Sequence, residues 1–260
     1  MSILSKGDTL QTLNRSIRVL KLFTPTKSEF TLTEFHEELD ISMSSLQRIL
    51  RTLIQEGLLE RDENTKMYSL GLELYFLGKL VEDQSQLLSI SKEYMDQLNN
   101  ETNETVTLNI INQNQRKCIG YVLAKHELTT LSYISSSSPL YAGASAKVLL
   151  AFLPDKEIAD YLDNSTLESV TENTTTDRAE LINELKAIKN SGYSVTESER
   201  VLGVCAISAP IINRFGNVIA SMTLTIPSVR VNRFEKDNYI ELVLKYASLI
   251  SEKLEYPGEI

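Results

Sequence analysis

Residues 31–71 read TLTEFHEELDISMSSLQRILRTLIQEGLLERDENTKMYSLG, and their reading decides the fold of the N-terminal part of the chain. Thr31-Leu32-Thr33-Glu34 is a capping-box pattern, a hydroxyl followed three residues on by a carboxylate, and it starts a helix at about Leu32. Leu32, Phe35 and Leu39 give that helix one apolar face. Asp40-Ile41-Ser42 breaks it, and Ser42 is placed to accept a backbone N–H and cap a second helix. In that second helix Leu46, Ile49, Leu50 and Leu53 recur at the spacing of a buried stripe. Ser44, Gln47, Arg48 and Arg51 fall on the other face, with Ser45 beside them. Guanidinium, amide and hydroxyl groups hydrogen-bond phosphates and base edges, so this face suits a DNA major groove. The plain alternative is an amphipathic helix with a solvated polar side. Gly57 ends the helix, Leu58–Arg61 and Met67–Leu70 read as two short strands, and Asp62–Lys66 as the turn between them. Helix, helix, hairpin is a winged helix-turn-helix, with Arg61 and Lys66 where a wing meets phosphates.

Four segments in order carry a family resemblance: Leu13-Asn14-Arg15-Ser16-Ile17-Arg18-Val19-Leu20, Leu32-Thr33-Glu34-Phe35, Ser45 to Leu53 with Gly57-Leu58, and Tyr68-Ser69-Leu70-Gly71. Together they resemble the IclR-type bacterial transcription regulators. Met43 stands where many members carry a basic residue.

The remaining composition sets bounds. At 260 residues the chain exceeds the ~100–150 usual for one compact domain, so two are expected. With 42% hydrophobic and 23% charged residues it reads as an ordinary globular protein. No apolar run approaches the ~18 residues of a bilayer span, and the start lacks a secretory signal core. Cys118 and Cys205 are far apart and read as small buried residues in a reducing compartment, so a cytoplasmic location is expected. Net charge is −9, unlike the basic balance common in DNA-binding modules. Residues 1–75 carry nine basic and eleven acidic side chains, the rest 17 and 24, so most of the excess acid lies outside the proposed reader. Binding should therefore depend strongly on salt and on two copies acting together.

In chain order, residues 1–9 read as a loose arm and Leu10–Phe23 as a helix with Leu10, Leu13, Ile17 and Leu20 on its apolar side, stopped at Thr24-Pro25. Leu72 to about Leu80 is a helix leaving the wing, and Glu82–Ser85 a polar hinge. The expected division is a DNA-binding domain over 1–71, a linker helix over 72–84 and an effector-binding domain over 85–260. In the last of these, Leu87–Asn99 is helical, Thr105–Ile111, Lys117–Leu123 and Leu128–Ile134 are strands, and Ser135–Pro139 is a loop. Helices follow from about Ser145, after Pro154-Asp155 and after Asp177. Tyr193–Thr196, Val204–Ile212 and Val218–Ile226 are strands, and a closing helix runs from Asn232. Hairpins with segregated helices indicate an α+β domain on an antiparallel sheet.

This half resembles the family's GAF-like effector domain, through Pro139 to Lys147, Gly192-Tyr193, Gly203 to Pro210, and Gly216 to Ser221 with Pro227. The resemblance implies a ligand cavity lined by Ala144, Ser145, Thr196, Ala206, Thr223 and Thr225. Thr196 stands where an acid is common and Ala206 where a cysteine is common, so the cavity is expected to be less charged than usual. Independently, Gly143-Ala144-Ser145-Ala146 runs into a helix whose free N–H groups make a carboxylate cradle, the plain alternative being a tight turn of small residues.

Catalytic residues, metals and cofactors are not expected. His36 and His126 lack ligand spacing, and Lys147 reads as a solvated helix residue. The expectation is a dimeric or tetrameric regulator binding a partly palindromic double-stranded DNA operator, with affinity set by a small organic acid and no membrane partner. Ser44, Ser45, Gln47 and Arg48 are assigned to the groove, and Arg15, Arg18, Arg51 and Lys66 to phosphates. A metabolite-binding hydrolase or sensor enzyme, using Cys205 and dimerising through its N-terminal helices, is the alternative from another class. A third is a regulator with a vestigial pocket.

Overall fold

The computed structural model describes residues 10–24, 26–127, 137–231 and 233–255. The chain divides between Gln84 and Ser85 into two compact units.

The first unit holds α1 (Gln11–Leu20), α2 (Leu32–Leu39), α3 (Met43–Gln55), β1 (Leu59–Arg61), β2 (Tyr68–Leu70) and α4 (Leu72–Gln84). The capping box forms as the residue types require. Glu34 N–H donates to Thr31 Oγ1 at 3.2 Å, and Thr31 N–H donates to Glu34 Oε2 at 2.7 Å. Asp40 takes a left-handed conformation and turns the chain into α3. Ser42 precedes α3 but does not accept its N–H groups. Its hydroxyl donates to Ser45 Oγ at 3.0 Å instead, which corrects the expected cap. Leu46, Ile49, Leu50 and Leu53 are buried with Phe35, Leu39, Phe30, Leu59 and Tyr68, so the apolar stripe of α3 builds the unit's core. Gly71 is required by close approach. A Cβ there would lie 2.1 Å from the Gly57 carbonyl oxygen, where the strand exit crosses the end of the helix-turn-helix.

Other expectations fail in this unit as well. α1 ends at Leu20 rather than Phe23, and the residue it buries is Val19. Leu10, Leu13 and Ile17 are exposed, because helical spacing identifies a stripe without saying what covers it. The hinge expected over Glu82–Ser85 is mostly helix. Lys79 pairs with Glu82 and Asp83 at i+3 and i+4, which extends α4 to Gln84.

The second unit holds α5 (Gln86–Thr102), β3 (Thr105–Asn112), β4 (Gln115–Val122), β5 (Ser137–Pro139), α6 (Ala144–Ala151), α7 (Asp155–Asp163), α8 (Arg178–Ser191), β6 (Ser194–Glu197), β7 (Val204–Ile212), β8 (Val218–Pro227) and α9 (Arg233–Glu255). The strands form a six-stranded sheet in the order β5-β4-β3-β8-β7-β6, with every pairing antiparallel. Ser137–Pro139 is therefore an edge strand where a loop was expected, and the strand expected over Leu128–Ile134 lies outside the described residues.

Side-chain alternation gives the sheet two different faces. Val106, Leu108, Cys205, Ile207, Met222 and Leu224 pack with Met95 and Leu98 of α5 and Val243 and Ile250 of α9. The opposite face is also buried yet polar, carrying Thr107, Asn109, Ser208, Ser221, Thr223 and Thr225 beside α6. A buried polar face must satisfy its hydrogen bonds internally or with a guest. This face holds the candidate site.

Candidate DNA-contact helix and effector cavity

On α3, Ser44, Gln47, Arg48 and Arg51 are exposed and Ser45 is half-buried, opposite the four buried aliphatics. The geometry thus places those five groups along one unpacked side of the second helix of a helix-turn-helix. Arg15 is half-buried and Arg18 exposed on α1, where Arg18 Nη2 also donates to the Leu39 carbonyl at 3.3 Å, at the carbonyl end of α2. Lys66 is exposed in the wing turn with a positive φ and pairs with Glu63 at 3.3 Å. That turn is fixed by Asp62, whose carboxylate accepts the N–H groups of Thr65 and Asn64. Those bonds hold its pKa below the ordinary value.

In the second unit one cavity of about 30 Å³ is lined by all six residues expected there: Ala144, Ser145, Thr196, Ala206, Thr223 and Thr225. Strand register explains the grouping. Thr225 pairs with Ala206, Ala206 with Thr196, and Thr223 with Ser208, so their side chains stand in adjacent rows on the polar face. The cavity volume is about one water's share of the liquid.

The cavity also contains groups that were not expected. Thr107, Arg116, Glu199 and Arg200 complete much of its wall, so the cavity carries charged side chains that the resemblance did not imply. The reason for Arg116 is a β-bulge. Leu108 pairs with Gly120, but Asn109 pairs with Cys118, leaving Ile119 as an extra residue in β4. Past the bulge the register moves by one, so Arg116 pairs with Ile111 and turns to the inner face while Lys117 is exposed. Arg116 is 1% exposed, donating from Nε to Ser138 Oγ and from Nη1 to Asn109 Oδ1, each at 2.8 Å. Asn109 Nδ2 in turn donates to Thr107 Oγ1 at 3.1 Å and Thr223 Oγ1 at 3.3 Å, and Thr223 bonds Ser208 at 2.9 Å.

The start of α6 is the second surprise. Gly143 N–H donates to Glu199 Oε2 at 3.3 Å and Ala144 N–H to Thr196 Oγ1 at 3.0 Å, so two N–H groups of the expected cradle are answered from within the chain. Gly143 has φ +88°, and an added Cβ would sit 3.4 Å from Arg200 Cβ, so glycine lets the 199–200 segment close on the helix. Lys147 is not solvated. It is buried between Glu199 and Glu184 and donates to Thr175 Oγ1 at 3.2 Å. Burial pushes the Glu199 pKa up, against the opposing pull of Lys147. Cys205 is buried in the core on the other face of β7, and burial pushes its thiol up. His36 Nδ1 lies 2.7 Å from the Ile41 carbonyl oxygen in the turn of the first unit. Among the described residues no cluster of three or more His, Cys, Asp or Glu side chains is arranged for a metal ion, and no helix is long and apolar enough to cross a membrane.

The first unit is a winged helix-turn-helix, a DNA-binding class of fold, and the second is an antiparallel-sheet unit with a buried polar cavity. Comparison with known proteins gives the family. Residues 80–252 match the family described as bacterial transcriptional regulator IclR C-terminal, and residues 12–63 match the IclR helix-turn-helix domain. The HTH-type transcriptional regulator KipR of Bacillus subtilis (strain 168) is 32% identical over 246 residues, covering 95% of this chain and 98% of that protein. An IclR transcriptional regulator from Alicyclobacillus acidocaldarius superposes with a TM-score of 0.87 at 22% identity, over 95% of this chain and 99% of that one. An IclR homologue from Microbacterium hydrocarbonoxydans, solved in complex with 4-hydroxybenzoate, superposes with a TM-score of 0.82 at 21% identity, over 94% and 99%. The chain belongs to the IclR family of bacterial transcriptional regulators.

Proposed function

We propose that this chain binds a partly palindromic operator as a homodimer or homotetramer and that a small organic acid in the cavity controls that binding. The carrying observation is the separation of faces on α3, with four aliphatics buried and Ser44, Gln47, Arg48 and Arg51 exposed. In this reading Ser44, Ser45, Gln47 and Arg48 contact base edges, and Arg15, Arg18, Arg51 and Lys66 contact phosphates. Exposed apolar residues on α1 and on α4, which buries none of its residues within the chain, support association of copies. Residues 72–84 then act as the linker helix between a reader over 1–71 and an effector unit over 85–260.

Ligand control follows from linkage: an acid that binds one geometry better than the other shifts operator affinity by that difference. The neighbour solved with 4-hydroxybenzoate supports a carboxylate guest, and the hydroxyl rows of the cavity supply partners for its oxygens. A gel-shift titration on DNA upstream of the chain's own gene, with and without a panel of small carboxylic acids, tests the proposal. A retarded complex whose midpoint moves with one acid is expected. No complex with upstream DNA, or a midpoint that no acid moves, contradicts it.

A further inference from the structure

We propose that the groove between α7 and α8 is a second small-molecule site, which takes a medium-chain carboxylic acid with its hydrocarbon chain on the groove floor and its carboxylate at Lys186. The groove has a volume of about 470 Å³ and shares no lining residue with the candidate effector cavity. Helical spacing builds it. Asp155, Ile158, Ala159 and Leu162 fall on one side of α7, and Ile182, Leu185, Lys186 and Lys189 on one side of α8. Leu162, Leu185 and Ala151 of α6 are buried and form an apolar floor, with Ile158 and Ile182 half-buried above it. Ala159 is exposed and ends at Cβ, which leaves the space between the helices unfilled. The helices run antiparallel. Arg178 at the start of α8 pairs with Asp163 at the end of α7 at 2.6 Å, and Lys189 near the end of α8 pairs with Asp155 at the start of α7 at 3.4 Å. These pairs bracket the groove at both ends. Between them Lys186 is exposed on the rim, and no ion pair to it forms among the described residues. The lining thus carries Arg178, Lys186 and Lys189 against Asp155, a local charge of +2 in a chain whose net charge is −9. Positive charge beside apolar surface selects an anionic amphiphile. The nine residues of α7 span about 12 Å, so the groove averages roughly 40 Å² in section. A hydrocarbon chain fits that section, whereas a partner helix, about 10–12 Å across, is too wide to enter it.

The probes are octanoate and decanoate below their micellar concentrations, each against the alcohol of the same length, by calorimetry and thermal shift on the full-length chain. Both acids should bind and raise the melting temperature, decanoate about fifteenfold more tightly because two further CH₂ groups are buried. Lys186→Gln should lower affinity for the acids roughly fivefold, the upper worth of a surface ion pair, and leave the alcohols unaffected. Ala159→Phe fills the groove from an exposed position and should abolish binding with the fold intact. If that variant does not fold, Lys186→Gln decides. Failure of both acids to bind overturns the proposal, as does equal affinity of acid and alcohol, or binding undiminished by either substitution. Attachment to anionic phosphatidylglycerol vesicles without binding of free decanoate also overturns it, in favour of a membrane surface. A lower oligomer mass for Ala159→Phe, with no acid bound by the wild type, overturns it in favour of a second copy. Because the groove is separate from the effector cavity, each of these failures leaves the proposed regulator standing.

Discussion

Lys147 and Glu199 form an ion pair in which both side chains are almost withdrawn from solvent, 4% and 5% exposed, at the point where α6 meets the 198–203 loop. The same carboxylate accepts the Gly143 N–H, and the same ammonium reaches Glu184 on α8. One charge cluster therefore ties the helix, the loop and the cavity wall together.

Removing the cation should be costly. Lys147→Met leaves Glu199 buried opposite Glu184 without a counter-charge, and breaking a buried pair from one side costs about 3–5 kcal/mol. Urea unfolding should show that loss, and the double variant Lys147→Met with Glu199→Gln should recover much of it. The pH sign follows from the raised Glu199 pKa. The folded form holds this proton more tightly than the unfolded form, so protonation favours folding, and the deficit of Lys147→Met should shrink as pH falls from 7 toward the ordinary value of 4.5. A deficit independent of pH would contradict the assignment.

Glu34 titrates in the opposite sense. The Thr31 N–H, then Lys27 and the Thr31 hydroxyl, hold its pKa at about 2 against an ordinary 4.5. Its contribution is present above 4.5 and is lost as pH falls from 4.5 to about 2. The melting temperature of Glu34→Gln should lie below that of the wild type at pH 7, with the gap closing through that window. Equal melting temperatures at pH 7 would remove the capping box as a source of stability.

Phe76 is 56% exposed on α4, with Tyr75, Leu80 and Val81 also exposed. Phe76→Glu should reduce the mass measured by sedimentation equilibrium from an oligomer toward one chain. An unchanged oligomer would move the association surface elsewhere.

The first unit was largely legible because local patterns set it. The Thr31–Glu34 box, the Asp40 break and the aliphatics of α3 each act through neighbours in sequence, and all three appear as read. The Ser42 cap, the end of α1 and the Glu82–Ser85 hinge were misread, and so was burial of Leu10, Leu13 and Ile17, which depends on contacts outside the helix itself. In the second unit the six residues carried over from the family fall around one cavity. Arg116 was not legible. Its strand reads Gln115-Arg116-Lys117, and only the one-residue bulge at Ile119 decides which basic side chain turns inward. Lys147 was missed for a related reason, because its partners Glu184 and Glu199 lie 37 and 52 residues away in sequence and a long-range ion pair leaves no local pattern.

The central claim is that the exposed cationic side of α3 meets a double helix. Fluorescence anisotropy on a labelled duplex from the chain's own upstream region, repeated over a range of salt, measures it directly. Wild-type affinity should fall steeply, with a logarithmic slope of about −0.9 per phosphate contact. Arg48→Ala should weaken specific binding by about 1–3 kcal/mol, roughly 5- to 150-fold, while leaving random-sequence binding nearly unchanged. Equal affinity of Arg48→Ala and wild type for the specific duplex would contradict the account.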